Sequence, residues 1–444
     1  MTLAALALLA APGAHAFCGT YVGQAGSELY NSASQVAITR QGSRTTLTLA
    51  NDVQGDVDTF AIVIPVPEVL GEGDVRVVDP ALFARLDGYS APRLVKYTCD
   101  DFRYDEDDMT ADASGGSDGS GPAADGSVTV EAEFAAGEYD ITILSATESE
   151  GLIRWLQTNG YGVDVRAEEL LGEYIEGGSY FFAARVALDR LPEGASWLSP
   201  LQFDYDAEVF GLPIRLGTLN SPGTQDLMVY TLTDFSDGRV GIANYPEVTV
   251  EDECMVRDER YDSFGDFWME QVNGAFGAGA SYLTEYAYGN GHCDPCTGEP
   301  PSDDDLAALG FASDTSGGAD TGGSGSGAYY FFTRLHMRYG LVGVDQDLVL
   351  YASGDTSQQQ IRYIEHESFL EDLFPVCGEG MVEDPGSCDG TTDTGGDAAS
   401  VGPSPYRSGD IAACGGCATG GVGMPAVGAI ALVLAGVVAG RRRL

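Results

Sequence analysis

Positive charge is the scarcest commodity in this chain. Across 444 residues, 22 Lys plus Arg face 68 Asp plus Glu, a formal net charge of -46, and the single lysine is Lys96. Proteins bind polyanions by bringing cations that release condensed counterions, so nucleic acid is disfavoured as a partner, and anionic lipid surfaces with it. Histidine is rarer still than Lys plus Arg, at His15, His292, His336 and His366. No nucleophile elbow, Walker phosphate loop or H-E-x-x-H zinc helix occurs. What is present suffices for a folded body. Hydrophobic residues make up 44%, and 60 glycines point to loops and inserts around a core. At roughly 100 to 200 residues per domain, the length allows two or three domains or one elaborated one.

Both termini carry targeting patterns. Thr2 to Ala11 is apolar, Pro12 and Gly13 interrupt it, and Ala14-His15-Ala16 is a small-x-small cleavage site, although no positive n-region precedes it. Residues 1–16 therefore read as a signal peptide with the mature chain starting at Phe17. Cys18 follows a phenylalanine, where a lipidated cysteine needs a small residue, so a lipoprotein reading fails. At the other end, Val422 to Gly440 is uncharged and rich in Ala, Val, Leu and Gly, and Arg441-Arg442-Arg443 follows at once. Such a helix reaches roughly 28 Å, enough to span a hydrocarbon core, with the arginines holding its end inside. A buried core helix with a cationic cap fits less well, because no polar face interrupts the run. Ahead of it lies Cys414-Gly415-Gly416-Cys417. Glycine-flanked cysteines, apolar helix, arginine cluster and chain end, in that order, resemble the MYXO-CTERM sorting tail. The resemblance implies cleavage by a sorting protease at Cys414 or Cys417, membrane contact through the helix before processing, and display at the cell surface or release.

Export places the nine cysteines in an oxidising compartment, where disulfides are the default. Outside the tail these are Cys18, Cys99, Cys254, Cys293, Cys296, Cys377 and Cys388, an odd number, so one is unpaired or pairs with the tail. Cys377 and Cys388 flank a short Gly- and Pro-containing loop and form the nearest local pair. His292-Cys293-Asp294-Pro295-Cys296 admits three readings. A local structural disulfide comes first. A zinc site would need further ligands from His292, His336 or Cys254. A redox pair expects a helix to follow the motif, and Thr297-Gly298-Glu299-Pro300-Pro301 continues no helix.

Along the body, strand-like segments fall at 35–39, 44–50, 59–66, 128–134, 139–144, 180–187, 201–206, 211–216, 226–233, 240–245, 282–287, 329–339 and 348–351. Helices are expected over 148–159, 167–175, 264–276 and 303–309, the first with Thr147 and Glu150 at capping-box spacing. The pattern predicts an α+β fold of mainly antiparallel sheet with interspersed helices. Residues 105–127 and 313–328, built from Asp, Gly, Ser and Ala, read as acidic disordered inserts. Residues 378–413 form a Gly, Asp, Thr and Ser linker that holds the body roughly 30 Å from the transmembrane helix.

Several stretches carry a second resemblance: Phe17-Cys18-Gly19-Thr20-Tyr21-Val22, Phe60-Ala61-Ile62-Val63-Ile64-Pro65-Val66-Pro67, Leu212-Pro213-Ile214-Arg215-Leu216-Gly217, Gln225-Asp226-Leu227, Asn244-Tyr245-Pro246, Thr284-Glu285-Tyr286-Ala287, Cys293-Asp294-Pro295-Cys296 and Thr333-Arg334-Leu335-His336. Together they resemble the bacterial domain-of-unknown-function family 2330, over about Phe17 to Cys377. The resemblance implies an exported protein and specifies no activity.

The remaining candidates for chemistry each have a plainer reading. Alternation places Phe332, Arg334, His336 and Arg338 on one side of a strand, where His336 is expected as a surface or cross-strand partner. Arg215 is expected to pair with a carboxylate. Calcium has oxygen-rich stretches at Asp105-Glu106-Asp107-Asp108, Asp303-Asp304-Asp305 and Asp389-Gly390-Thr391-Thr392-Asp393, but none keeps the EF-hand spacing. The expectation is a surface-anchored envelope protein, a binding or structural module without cofactor. The alternative is an exported metal- or thiol-dependent enzyme centred on His292, Cys293 and Cys296, with zinc or calcium as the metal.

Overall fold

The computed structural model describes residues 20–23, 30–54, 60–95 and 128–366, the last stretch with internal breaks of which 313–328 is the longest. The signal segment 1–16, Cys18, Cys99, Cys254, Cys377, Cys388, the insert 105–127, the linker 378–413, and the tail with Cys414, Cys417 and 422–440 lie outside the described residues, as does the insert 313–328. Among the described residues no helix is long and apolar enough to cross a membrane.

The fold is mixed α+β, mostly sheet. Its chain order begins β1 (Thr20–Gly23), β2 (Tyr30–Gln41), β3 (Arg44–Gln54), β4 (Phe60–Val66), β5 (Val75–Val77), α1 (Ala81–Ser90), β6 (Arg93–Val95), β7 (Val128–Ala136) and β8 (Tyr139–Ala146). It continues with α2 (Ser149–Thr158), α3 (Ala167–Glu176), β9 (Tyr180–Val186), β10 (Leu201–Asp206), β11 (Gly211–Leu212), β12 (Gln225–Asp234), β13 (Val240–Ile242), β14 (Glu247–Val248) and β15 (Met255–Val256). The last elements are α4 (Phe264–Ala275), β16 (Ser281–Gly289), α5 (Asp303–Ala308), β17 (Tyr330–Tyr339), β18 (Leu348–Ala352), β19 (Gln359–Gln360) and β20 (Arg362–His366).

Two sheets stack face to face. A five-stranded sheet runs β1-β4-β9-β8-β7, and a nine-stranded one runs β14-β16-β17-β12-β2-β3-β10-β5 with β19 on β16. The five-stranded sheet is antiparallel throughout. The larger sheet has the β12–β2 pair parallel at its centre. Strand alternation sorts side chains into separate cores. Ile62 and Ile64 of β4, Ile141 and Ile143 of β8, Val36 and Ile38 of β2 and Leu335 and Met337 of β17 share the core between the sheets. The opposite faces carry helices. Ala61, Val63, Phe181 and Ala183 pack with Leu152, Leu156 and Leu171 of α2 and α3. Ala37, Tyr230, Tyr286 and Phe332 pack with Leu82, Phe83, Leu86 and Tyr89 of α1 and Leu306 of α5. The layers are therefore helix, sheet, sheet, helix. Burial on both faces explains the nearly unbroken apolar runs in β4 and β9.

Two local expectations need correction. The helix at 149 starts from Glu148 in extended conformation with no side-chain cap, so Thr147 and Glu150 do not form a capping box there. The true capping box is at α5, where the Ser302 hydroxyl accepts from the Asp305 amide and Asp305 reaches back to the Ser302 amide. The strand expected over 211–216 ends at Leu212, and a 3-10 turn covers Leu216–Asn220. Pro213 has no amide hydrogen to extend the ladder.

Candidate functional site

His336 sits on β17 between two flanking strands. Register sets Met228 of β12 and Leu283 of β16 beside it, with Asp226 opposite Arg338 and Tyr286 opposite Arg334. The β16–β17 register shifts between Thr284 and Tyr286, which leaves Glu285 as the extra residue of a β-bulge. A bulge breaks the period of two. Glu285 and Tyr286 consequently face the same side, the one that carries Arg334, His336 and Arg338.

Those side chains form one chain of alternating charge. The Arg334 guanidinium donates to Asp87 of α1 at 2.7 Å and to Glu285 at 2.6 Å. His336 engages Glu285 through Nδ1 at 2.8 Å and Asp226 through Nε2 at 3.0 Å. Arg338 clamps Asp226 with two hydrogen bonds, 2.6 and 3.0 Å, and donates to Asn273 Oδ1 of α4 at 2.8 Å. Aromatic rings close the sides: Phe276 lies 5.1 Å from His336 and 4.9 Å from the Arg338 guanidinium, and Tyr230 lies 5.5 Å from that of Arg334. Glu285 is 1% exposed and Arg334 and His336 6% each.

Burial at this depth works against every charge, so the partners decide the protonation. Desolvation pulls His336 down, but hydrogen bonds to Asp226 and Glu285, together with their charges, push it up to about 9. Desolvation raises Glu285, and the Arg334 charge and the His336 hydrogen bond outweigh it, leaving the carboxyl below its ordinary value. Asp226 is lowered in the same way by His336 and Arg338. His336 is thus an imidazolium with both ring nitrogens donating. It has no lone pair for a proton or a metal. What the chain does physically is fasten α1 and the end of α4 to the outer face of the large sheet.

Cys293 and Cys296 form a disulfide, the first of the three sequence readings. Their turn follows Asn290 and Gly291, both in left-handed conformation with φ of 58° and 72°. It is held by the His292 carbonyl, which accepts from the hydroxyls of Tyr89 at 2.9 Å and Tyr286 at 2.6 Å. Burial raises the Tyr89 hydroxyl to about 12, so it stays a donor. The His292 ring is exposed, and His336 is engaged with carboxylates and not with either sulfur. Among the described residues no group of three or more His, Cys, Asp or Glu is placed to hold a metal ion. Asp305, from the oxygen-rich stretch at 303–305, caps α5 and pairs with Arg85 at 2.6 Å. Asp105–Asp108 and Asp389–Asp393 fall outside the described residues. Arg215 pairs with Glu173 at 2.6 Å, as expected.

A separate cleft of about 410 Å³ opens where α2 ends over the five-stranded sheet. Its lining includes Glu133, Asp140, Thr142 and Arg185 from the strands and Trp155 and Tyr161 from the end of α2 and the turn beyond. Nothing in the sequence drew attention to these residues, since none forms a motif. Glu285, Asp226, Asp87 and Asn273 were missed as well. For the first two a signal existed: three of the stretches that carry the family resemblance, Gln225-Asp226-Leu227, Thr284-Glu285-Tyr286-Ala287 and Thr333-Arg334-Leu335-His336, meet in the ionic chain.

The fold and this site define a class: a two-sheet α+β body whose buried polar centre is a closed ionic chain. The chain belongs to the DUF2330 family, described as an uncharacterized protein conserved in bacteria, whose model matches residues 12–350. That span takes in Asp87, Asp226, Glu285, Arg334, His336 and both bonded cysteines. No curated protein and no solved structure matches the chain.

Proposed function

We propose that the protein is exported and anchored at the bacterial surface, where it acts as a binding or structural module and not as a catalyst at its histidine and cysteine motifs. The observation that carries this reading is the occupation of its reactive groups: both His336 nitrogens are bound to carboxylates, and Cys293 is bonded to Cys296. A general base needs a free lone pair and a thiol nucleophile a free sulfur. In this arrangement His336 has no free lone pair, and an enzyme centred on His292, Cys293 and Cys296 would have no free thiol. The targeting half of the reading rests on sequence. Residues 1–16 direct export, 378–413 act as an acidic tether, and 422–440 anchor the chain until a sorting protease acts at Cys414 or Cys417 in the MYXO-CTERM-like tail. The net charge of -46 then serves solubility and self-repulsion outside the cell. The test is shaving of intact cells with a glutamyl endopeptidase, chosen because the chain has one lysine and many acids. Loss of the full-length protein while a cytoplasmic marker survives is expected. Complete protection in intact cells, with digestion after lysis, would overturn surface display.

A further inference from the structure

We propose that the cleft under the end of α2 binds a neutral sugar, a mono- or disaccharide unit of a larger glycan. Its position follows from strand alternation. The inward residues of β8 and β9, Ile141, Ile143, Phe182 and Ala184, belong to the core between the sheets, so Asp140, Thr142 and Arg185 face the helices. Register aligns Glu133 with Thr142, Ala135 with Asp140, and Asp140 with Arg185. Two polar rows result. α2 covers the sheet up to Thr158, and beyond it these rows form an open floor beside Trp155.

The polar groups have unspent capacity. Among the described residues the Glu133 carboxylate, the Thr142 hydroxyl and the Trp155 indole N–H make no hydrogen bond within the protein. Asn159 donates to the Trp155 carbonyl at 2.8 Å, which leaves its side-chain oxygen directed elsewhere. Asp140 is held by Arg185 and Arg190, so its geometry is set in advance. The floor therefore offers donors and acceptors side by side. That mixture matches hydroxyl groups, each of which donates and accepts.

Charge and shape narrow the ligand further. The lining carries Glu133 and Asp140 against Arg185, with Arg190 adding a second cation on Asp140, so no single sign dominates. An anionic ligand would meet an unpaired Glu133 on a strongly acidic protein. A cationic one would meet Arg185. Trp155 packs against the core beneath α2 while also lining the cleft, which makes it a fixed apolar platform with one polar edge. The weakly polar C–H face of a pyranose ring suits such a platform, and its rim of hydroxyls suits the floor. The volume of about 410 Å³ falls near the lower end of the ~300–1,000 Å³ range of small-molecule sites.

The experiment follows the indole N–H resonances of the purified full-length chain while glucose, galactose, mannose, N-acetylglucosamine, maltose and cellobiose are titrated separately. The expected result is a saturable shift of the Trp155 resonance by at least one sugar, the other two indoles staying in place. Glu133→Ala should weaken that binding about tenfold, the worth of one charge-assisted hydrogen bond, and Thr142→Val should weaken it as well. Both positions are solvent-accessible on the strands, so each variant should fold, as its unchanged spectrum elsewhere would verify. No shift with any sugar would overturn the proposal, as would binding that both variants leave intact. A response only to charged peptides or to uronic acids would overturn it too. Calling the glycan an envelope component rests on the surface-display reading. That reading is tested on whole cells, so the failure of one is distinguishable from the failure of the other.

Discussion

Replacing Glu285 probes the ionic chain at its centre. Its carboxylate is 1% exposed and, among the described residues, is the one anion that touches both Arg334, at 2.6 Å, and His336, at 2.8 Å. Glu285→Gln keeps the volume but removes the charge. The amide also has a single acceptor oxygen, so its NH2 group must face one of two donors. Arg334 then keeps Asp87, whose side chain is 45% exposed, and His336 keeps Asp226. Breaking a buried ion pair from one side costs about 3–5 kcal/mol, and here one substitution strips two cations of a partner. Against a total stability of about 5–15 kcal/mol for a domain, the variant should be visibly destabilised yet measurable. The assay is equilibrium urea unfolding near pH 6, read as a shift in midpoint at constant slope. A cycle with His336→Gln supplies the internal control: the two substitutions share a contact, so the double variant should cost less than the sum, with a coupling above about 0.5 kcal/mol. A Glu285→Gln protein within about 0.5 kcal/mol of wild type, together with additive behaviour in the cycle, would refute the reasoning.

Two further outcomes follow from the same structure. The raised value of about 9 for His336 means that its contribution is complete below the ordinary imidazole value and is lost as pH rises through 9. Between those limits the folded state holds one proton more than the unfolded one, so stability should fall by about 1.4 kcal/mol per pH unit, on the order of 3 kcal/mol in all. Glu285 and Asp226 are lowered, so their contribution is present above the ordinary carboxylate range and is lost as pH falls. Urea midpoints measured across pH should therefore peak between the two ranges, and His336→Gln should flatten the alkaline limb. The second outcome concerns Gly310, which ends α5 with φ of +76°, and where a Cβ would overlap the Thr46 side chain. Thr46 cannot easily yield, because its hydroxyl donates to Asp204 at 2.6 Å. Gly310→Ala should lower stability by about 1–3 kcal/mol, whereas Gly42→Ala, equally left-handed but in open space, should cost less.

Much of the framework could be read in advance because it rests on local pattern. The 201–206 segment matches β10 at both ends, and alternation along 329–339 correctly put Arg334, His336 and Arg338 on one face. The partners of that face could not be read so directly. A strict period of two over 282–287 puts Glu285 opposite Tyr286, and the bulge that brings them to one side has no local signature. Asp226 reaches Arg338 only through the register of strands more than a hundred residues apart. α1 was passed over, although Leu82, Phe83, Leu86 and Tyr89 have helical spacing and are buried. Its start has a physical marker: the Asp79 carboxylate accepts from the Ala81 amide at 2.9 Å, and Pro80 is in helical conformation, the usual place for proline in a first turn. The Cys293–Cys296 bond is the first of the three readings the motif admitted, and the turn that follows it argued only against a redox pair. The cleft beside Trp155 was invisible, because its residues come from three strands and one helix end and share no spacing.

The central claim is that His336 is a buried structural cation and not a titratable base. Nitrogen-15 spectra of histidine-labelled protein, recorded from pH 5 to 10, measure this directly. Two protonated ring nitrogens persisting above neutrality, with a midpoint at about 9, is the predicted result. A His336 ring that loses its proton at or below the ordinary imidazole value of about 6.5, exposing a lone pair at neutral pH, would contradict the account.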